Sequence, residues 1–323
     1  MSWNVGQVVN LTVDADEDDT RLDRWLKRKF HGLTQGQIEK ACRTGEIRVD
    51  GARAKANTRV KAGQTVRVPP MTAAKGREGD EEDEKPRARV KSSDADMMRS
   101  LVIYEDDHII ALNKPAGLAV QGGTGTTRHI DALSRALVDD QAEKPRLVHR
   151  LDQGTSGVIV AAKTQPVAAR LSEAFAGRDV QKTYIALVKG RLPAADSGVV
   201  DAALVKVEEG GKLRMILARP DRKGAQTART GWCVKARAGD AALLELAPET
   251  GRMHQIRVHL LSLGCPILGD ALYGEGRTTA PRLLLHAAKL VLPHPEGGML
   301  TLEAPAPDDF RAAAEAAGLQ AGL

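Results

Sequence analysis

Between positions 149 and 157 the chain reads His-Arg-Leu-Asp-Gln-Gly-Thr-Ser-Gly, which sets one carboxylate, Asp152, beside Arg150 and ahead of the apolar run 158–162. Basic and glycine-rich neighbours can hold a carboxylate ionised and accessible, the state a nucleophile or base requires. On that spacing alone, an aspartate in a loop also reads as a turn or capping residue. Four further segments carry residue types suited to a polar pocket: Asn-Lys-Pro-Ala-Gly-Leu-Ala-Val at 113–120, Lys-Thr-Tyr-Ile-Ala-Leu-Val at 182–188, Thr-Gly-Arg-Met-His-Gln-Ile-Arg-Val-His at 250–259 and Leu-Leu-Leu-His-Ala at 283–287. Taken singly, Arg257 reads as the solvent face of a helix whose apolar stripe is Ile256, Leu260 and Leu263, and Tyr184 as a core or rim residue of a strand. His149, His254, His259 and His286 invite a metal-site reading with Asp152. His254 and His259, however, would project about 140° apart on a helix, unlike zinc ligands at four-residue spacing. No metal is expected. The glycines at 122, 123 and 125 lack the Gly-Lys-Ser/Thr ending of a P-loop, so no nucleotide cofactor is expected either.

The elements that must position these residues can be read from periodicity and punctuation. Strands are expected over 101–104, 109–113, 157–163, 183–188 and 243–246, and helices over 130–138, 166–176 and 253–263, the last stopped by Gly264. Their irregular alternation argues against a Rossmann or barrel repeat. An α+β domain over 101–323, on a mixed and mainly antiparallel sheet, accommodates them.

Ahead of this domain lies a concentration of positive charge. Residues 20–70 hold 13 Lys and Arg against 4 Asp and Glu, whereas the whole chain of 323 residues carries only +5. Residues 1–19 form an acidic segment of net charge −5. A compact basic block points to a polyanion, most simply nucleic acid. Leu22, Leu26 and Phe30, with Trp25 adjacent, share one helical face, while Arg24, Lys27 and Arg28 look elsewhere. Thr34 can cap a second helix that Gly45 stops, and a turn at Asp50-Gly51 separates short strands. Residues 71–100, with the acidic run at 80–84, lack apolar periodicity and read as a charged flexible linker.

Composition narrows the classes further. Aromatic residues make up 3% of the chain, too few for binding single strands by serial base stacking. Cys42, Cys233 and Cys265 are dispersed, which fits a reducing compartment rather than a disulfide scaffold. With neither a signal pattern nor an 18-residue apolar run, a cytoplasmic protein without a membrane partner is expected.

Residues 20–70, from Thr-Arg-Leu-Asp-Arg-Trp-Leu through Gly-Glu-Ile-Arg-Val-Asp-Gly, resemble the S4-like RNA-binding module. That resemblance places structured RNA on the paired helices, with Arg24, Lys27, Arg28, Arg43 and Arg48 as RNA-binding residues. The five segments of the second domain, in order, resemble the RluA/RluC/RluD family of RNA pseudouridine synthases, and the RluC type most. The resemblance implies that Asp152 is the catalytic aspartate, that Tyr184 stacks on the target base and is placed for proton transfer, and that Arg257 pairs with the aspartate. It further implies that Arg150 holds the duplex open, that Leu285 packs beneath the base, and that Arg252 and Lys114 help to bind substrate. Gln121 and the pair Gln153-Gly154 depart from the usual pattern without touching these positions.

The implied activity converts uridine to pseudouridine in 23S ribosomal RNA and needs no cofactor. An RluD-like or transfer-RNA enzyme is the near alternative. A non-catalytic RNA-binding assembly factor and a metal-dependent nuclease or glycosidase are readings of other classes, and they differ in what loss of the Asp152 carboxylate would do.

Overall fold

The computed structural model of the protein describes residues 8–30, 33–70, 92–122, 126, 128–139, 142–177, 179–274 and 280–319. The chain divides into two compact units, Met1–Arg89 and Val90–Leu323. Most of the expected linker, 71–91, and the glycines at 123 and 125 lie outside the described residues.

In the first unit, β1 (Val9–Thr12) pairs antiparallel with β6 (Thr65–Val68), which continues to β3 (Arg48–Val49) and β4 (Ala52–Arg53). A second small pair joins β2 (Thr20–Arg21) to β5 (Arg59–Val60). Helices α1 (Leu22–Lys29) and α2 (Gln35–Thr44) cover a core that includes Leu22, Trp25, Leu26, Ile38 and Ile47. Thr34 caps α2 by accepting from the Gln37 amide, and Gly45 ends it in the left-handed region at φ 77°. The acidic segment is built into this unit. Besides supplying β1, it places Glu17 in the interior, where its carboxylate accepts from Trp25 Nε1 at 2.6 Å and pairs with Lys29 at 3.1 Å. Acidity in that segment therefore offsets part of the basic charge locally, a pairing that a linear charge count conceals.

The second unit opens with α3 (Ser92–Ser100), so the end of the expected linker is helical and buries Met98. β7 (Val102–Glu105) and β8 (Ile109–Lys114) follow, then α4 (Ile130–Leu133), β9 (Arg146–Leu147), β10 (Ser156–Ala162), α5 (Gln165–Gly177) and β11 (Gln181–Lys189). Next come β12 (Ser197–Asp201), the separate hairpin of β13 (Leu204–Glu209) and β14 (Lys212–Leu217), β15 (Arg229–Ala238), β16 (Ala241–Pro248) and α6 (Gln255–Ser262). β17 (Leu285–Pro293), β18 (Met299–Glu303) and α7 (Asp308–Ala316) complete it. One ten-stranded sheet runs β12-β15-β16-β11-β17-β10-β8-β7, with β18 beside β17 and β9 beside β10. Its pairings are antiparallel except for a short parallel contact between β10 and β17, so the sheet is mixed and mainly antiparallel.

That parallel contact depends on Gly157. Its φ is 115°, and a Cβ there would lie 2.2 Å from the Ala287 carbonyl oxygen, so only glycine lets β10 approach β17 this closely. The approach brings the loop before β10, which carries Asp152, beside the strand that begins at Leu285. On the other side of β11 the sheet continues through β16 and β15 to β12, and α6 packs against β14 and β15.

Candidate active site

The Asp152 loop is fixed from behind by the segment that ends β8. Lys114 is fully buried, and its ammonium donates to the carbonyls of Pro115, Leu118 and Gln153 at 2.9–3.0 Å. The Gly117 amide and the Gln153 side chain add two reciprocal bonds between the same segments. All three donors of the ammonium are thereby engaged by backbone carbonyls, so where a hold on substrate was expected, Lys114 instead supports the loop that presents Asp152. Burial, partly opposed by the Asp152 charge, pushes its ammonium down to about 7. The Thr155 amide closes a turn on the Asp152 carbonyl at 3.0 Å, leaving the carboxylate at the wall of a cavity of about 520 Å³.

Arg257 reaches Asp152 from α6, with Nη1 3.5 Å from Oδ2, and its side chain is 11% exposed rather than on a solvent face. Its stronger bonds go elsewhere. Nε and Nη2 form a two-point clamp on Asp270 at 2.8 and 2.7 Å. Asp270 is 1% exposed and also accepts from the amides of Leu272 and Tyr273, each at 3.0 Å. Burial alone would raise the Asp270 carboxyl, but the guanidinium and the two amides hold it below the usual carboxylate range. The arginine that serves Asp152 is thus aimed by a second, buried carboxylate. Gly269 makes this possible: with φ 76°, any Cβ there would meet the Arg282 carbonyl oxygen at 1.6 Å.

The helix carrying Arg257 starts at Gln255, two residues later than the expected boundary of 253. His254 adopts a left-handed conformation, φ 53°, which helical geometry forbids, and the Gln255 side chain ties the preceding turn to Thr250, Arg252 and Arg229.

Tyr184, Leu285, Arg150 and Arg252 all line the same cavity. The β11–β17 register shifts between Thr183 and Tyr184, a bulge of the kind that re-aims a side chain at a sheet rim. Burial, reinforced by the nearby Asp152 charge, pushes the Tyr184 phenol far above its ordinary range, so it is a neutral O–H donor at physiological pH. Leu285 is 3% exposed and forms an apolar floor. Arg150 is exposed at the mouth, and Arg252 is aligned by a bond from Nε to the Thr227 carbonyl. Tyr184→Phe is expected to bind RNA within about two-fold of the parent while slowing single turnover by about 10²-fold, the usual contribution of one positioned proton donor. Full activity would leave Tyr184 as a stacking platform only.

Two residues that shape the site, Lys182 at the cavity wall and the buried Asp270 behind Arg257, carried little signal in the sequence. Lys182 lines the wall with its ammonium 5.7 Å above the Phe175 ring, and burial lowers its pKa. Its signal was position alone, two residues before Tyr184 on the same face of the strand. Asp270 carried no signal beyond a Gly-Asp pair that reads as a turn. The four histidines do not converge. His149 accepts from the Val160 amide and stacks on Phe175, while burial, with Lys182 adding to it, brings it down to about 3. His259 bonds Thr230 and the Ala202 carbonyl, and His286 bonds Ser156 and the Ala304 carbonyl. Among the described residues, no group of three His, Cys, Asp or Glu is placed to hold a metal ion.

In the first unit, Arg24, Lys27, Arg28, Arg43 and Arg48 are all exposed. Arg28 donates to Thr20, and Arg48 is tied to the carbonyls of Gly45 and Gly51, so these two are held in place while the helices present the others.

Comparison with known proteins gives this geometry a family. Residues 108–262 match the RNA pseudouridylate synthase family and residues 20–66 match the S4 domain. The chain is 36% identical over 321 residues to "Ribosomal large subunit pseudouridine synthase C" of Escherichia coli O157:H7, covering 96% of this chain and 97% of that one. It is 36% identical over 298 residues to the protein of the same name from Vibrio cholerae, covering 90% of each. Among solved structures it is similar to human RNA Pseudouridylate Synthase Domain Containing 4, with a TM-score of 0.60 and 31% identity, over 72% of this chain and 99% of that one. A likeness that spans nearly the whole chain, together with matches to both domains, shows that this protein belongs to the RNA pseudouridylate synthase family, as a member with an S4 domain ahead of its synthase domain.

Proposed function

We propose that the protein isomerises specific uridines to pseudouridine in 23S ribosomal RNA, using Asp152 as the catalytic carboxylate. The observation that carries this reading is Asp152 at the wall of a nucleotide-sized cavity, with Arg257 beside it and Tyr184 and Leu285 lining the same space. The choice of RNA follows from the relatives, which are named for the ribosomal large subunit.

The reaction breaks the N1–C1′ bond, turns the uracil and forms a C5–C1′ bond. The C5 proton leaves and N1 takes one up, so no redox partner or group donor is required. As N1–C1′ stretches, the sugar becomes electron-deficient, and a carboxylate at that point can trap or stabilise it. The uridine must first leave its stack, at a cost on the order of a few kcal/mol. Stacking on Tyr184 returns roughly 1–3 kcal/mol, and Leu285 would support the ring from below. Arg150, Arg252 and Lys182 line the cavity as cations suited to the flanking phosphates.

The S4 domain supplies sequence-independent affinity. Replacing Arg24, Lys27 and Arg28 together by Gln is expected to flatten the slope of log K against log salt by about two, because about 0.7–0.9 counterion is released per phosphate contact. An unchanged slope would remove these residues from the RNA interface. Among the described residues no helix is long and apolar enough to cross a membrane, and action on ribosomal RNA would place the protein in the cytoplasm.

The test is chemical labelling of pseudouridine followed by primer extension on ribosomal and transfer RNA incubated with the protein. Stops at discrete uridines of 23S RNA are expected. Stops confined to transfer RNA would change the substrate, and RNA cleavage without stops would overturn the reading.

A further inference from the structure

His254 is a residue that the reading above does not use, yet it occupies a costly conformation at the cavity wall. Its backbone is left-handed at φ 53°, a region that non-glycine residues enter rarely and that marks strain held for a purpose when surrounding contacts enforce it. Its two ring nitrogens look in different directions. Nδ1 lies 2.9 Å from the hydroxyl of Tyr273, and Nε2 lies 3.9 Å from Asp152 Oδ2. The imidazole packs edge-on to the Tyr273 ring at 5.5 Å.

Tyr273 decides which nitrogen carries the proton. Its side chain is buried, and its oxygen already accepts from the Met215 amide at 2.9 Å. The phenolic O–H then needs an acceptor, and His254 Nδ1 is the one available to it among the described residues. If Nδ1 carried the proton instead, it would donate to the same oxygen and the buried O–H would be left without an acceptor among the described residues. Burial holds the Tyr273 phenol above its usual range, so that O–H persists. The charged groups facing His254 are Asp152, Arg257, Asp270 and Arg150. Burial is the largest influence on the ring and keeps it below its ordinary value, so the imidazole is neutral at physiological pH.

We propose that His254 is a positioning residue for Asp152: Tyr273 fixes the imidazole with its proton on Nε2, and that N–H turns the Asp152 carboxylate by drawing Oδ2, leaving Oδ1 for the sugar. The inference rests on the assignment of Asp152 as the catalytic carboxylate. Arg257 approaches the same oxygen, Oδ2, at 3.5 Å, so both partners act on one side of the carboxylate. Its guanidinium carbon also sits 4.9 Å from the Tyr273 ring centre, which makes Tyr273 the common support of both. From a separation of 3.9 Å a catalytic hydrogen bond commonly tightens when substrate binds and excludes water.

Two substitutions divide the functions of the ring. H254N keeps a group at the Nδ1 position and tolerates the left-handed backbone, but has no donor that reaches Asp152. H254Q carries an amide N–H at the place of Nε2. Single-turnover rates are expected to fall about 10- to 100-fold in H254N, with RNA affinity within about two-fold of the parent, and to recover in large part in H254Q. Nitrogen-15 NMR of the histidine-labelled full chain is expected to show His254 as the neutral Nε2–H form at neutral pH, and Y273F is expected to shift it toward a mixture. A wild-type rate in H254N, or a resting Nδ1–H form, would overturn the proposal. D152N run in parallel separates the levels. Activity in D152N overturns the Asp152 assignment and this role with it, whereas an inactive D152N beside a fully active H254N overturns the positioning role alone.

Discussion

Asp152→Asn is expected to reduce single-turnover pseudouridine formation at least about 10³-fold while RNA affinity stays within about two-fold. The amide matches the carboxylate in shape, so the turn closed by the Thr155 amide and the ties from Lys114 and Gly117 to Gln153 are untouched. What would be lost, on the proposed role of Asp152, is the negative charge that stabilises the sugar as its N1–C1′ bond stretches. Asp152 is 24% exposed and its nearest cation is 3.5 Å away, weaker contacts than those of Asp270, so the melting temperature should change little. Primer-extension stops after chemical labelling measure the rate, and filter binding measures the affinity. An assembly factor acting through its S4 domain would be indifferent to the change. Retained isomerisation would remove Asp152 from the chemistry.

How much of this site could be read before the fold depended on whether a residue's partner was close in sequence. Asp152, Tyr184, Arg257 and Leu285 sit in short segments whose composition is distinctive, and the fold brings all four to one cavity. For Lys114 a substrate-binding role was implied by the resemblance alone; only the fold shows three carbonyls converging on its ammonium. Asp270 was invisible for the complementary reason: a buried acid is stabilised by a partner, and Arg257 lies 13 positions away, beyond any local pattern. The same division holds for the elements. β10 and β11 were legible as apolar runs bounded by turn residues. β17 was not, because Leu285–Pro293 is a central strand flanked by β11 on one side and by β10 and β18 on the other, and its near-continuous apolar run lacks the alternation of a half-exposed strand. β1 was hidden by charge, since a four-residue strand before a dense acidic stretch reads as a tail. Its pairing with β6, more than 50 residues onward, is a tertiary fact.

Asp270→Asn is expected to damage both stability and catalysis, and the two losses should respond differently to pH. Breaking a buried ion pair by removing one partner costs about 3–5 kcal/mol, because the remaining charge keeps its desolvation penalty. Here that charge is Arg257, whose side chain is 11% exposed. The folded Asp270 carboxyl lies below its unfolded value, so its contribution is fully present above the ordinary carboxylate pKa of about 3.9 and fades as pH falls through the folded value. Denaturant midpoints should therefore separate D270N from the parent most at neutral pH and converge in acid. Catalysis should fall for a second reason. Without Asp270, the guanidinium loses the two-point clamp at 2.7 and 2.8 Å and has Asp152 as its remaining close carboxylate. It would close on Asp152 as a tight pair, making the carboxylate a poorer partner for the sugar, and a rate loss of about 10²-fold is expected for such a displacement near the reacting atoms. Single-turnover assays in conditions where D270N is still folded isolate this effect. A stable D270N with the parent's rate would mean that Arg257 is aimed by the backbone of α6 alone, and that the buried carboxylate is dispensable.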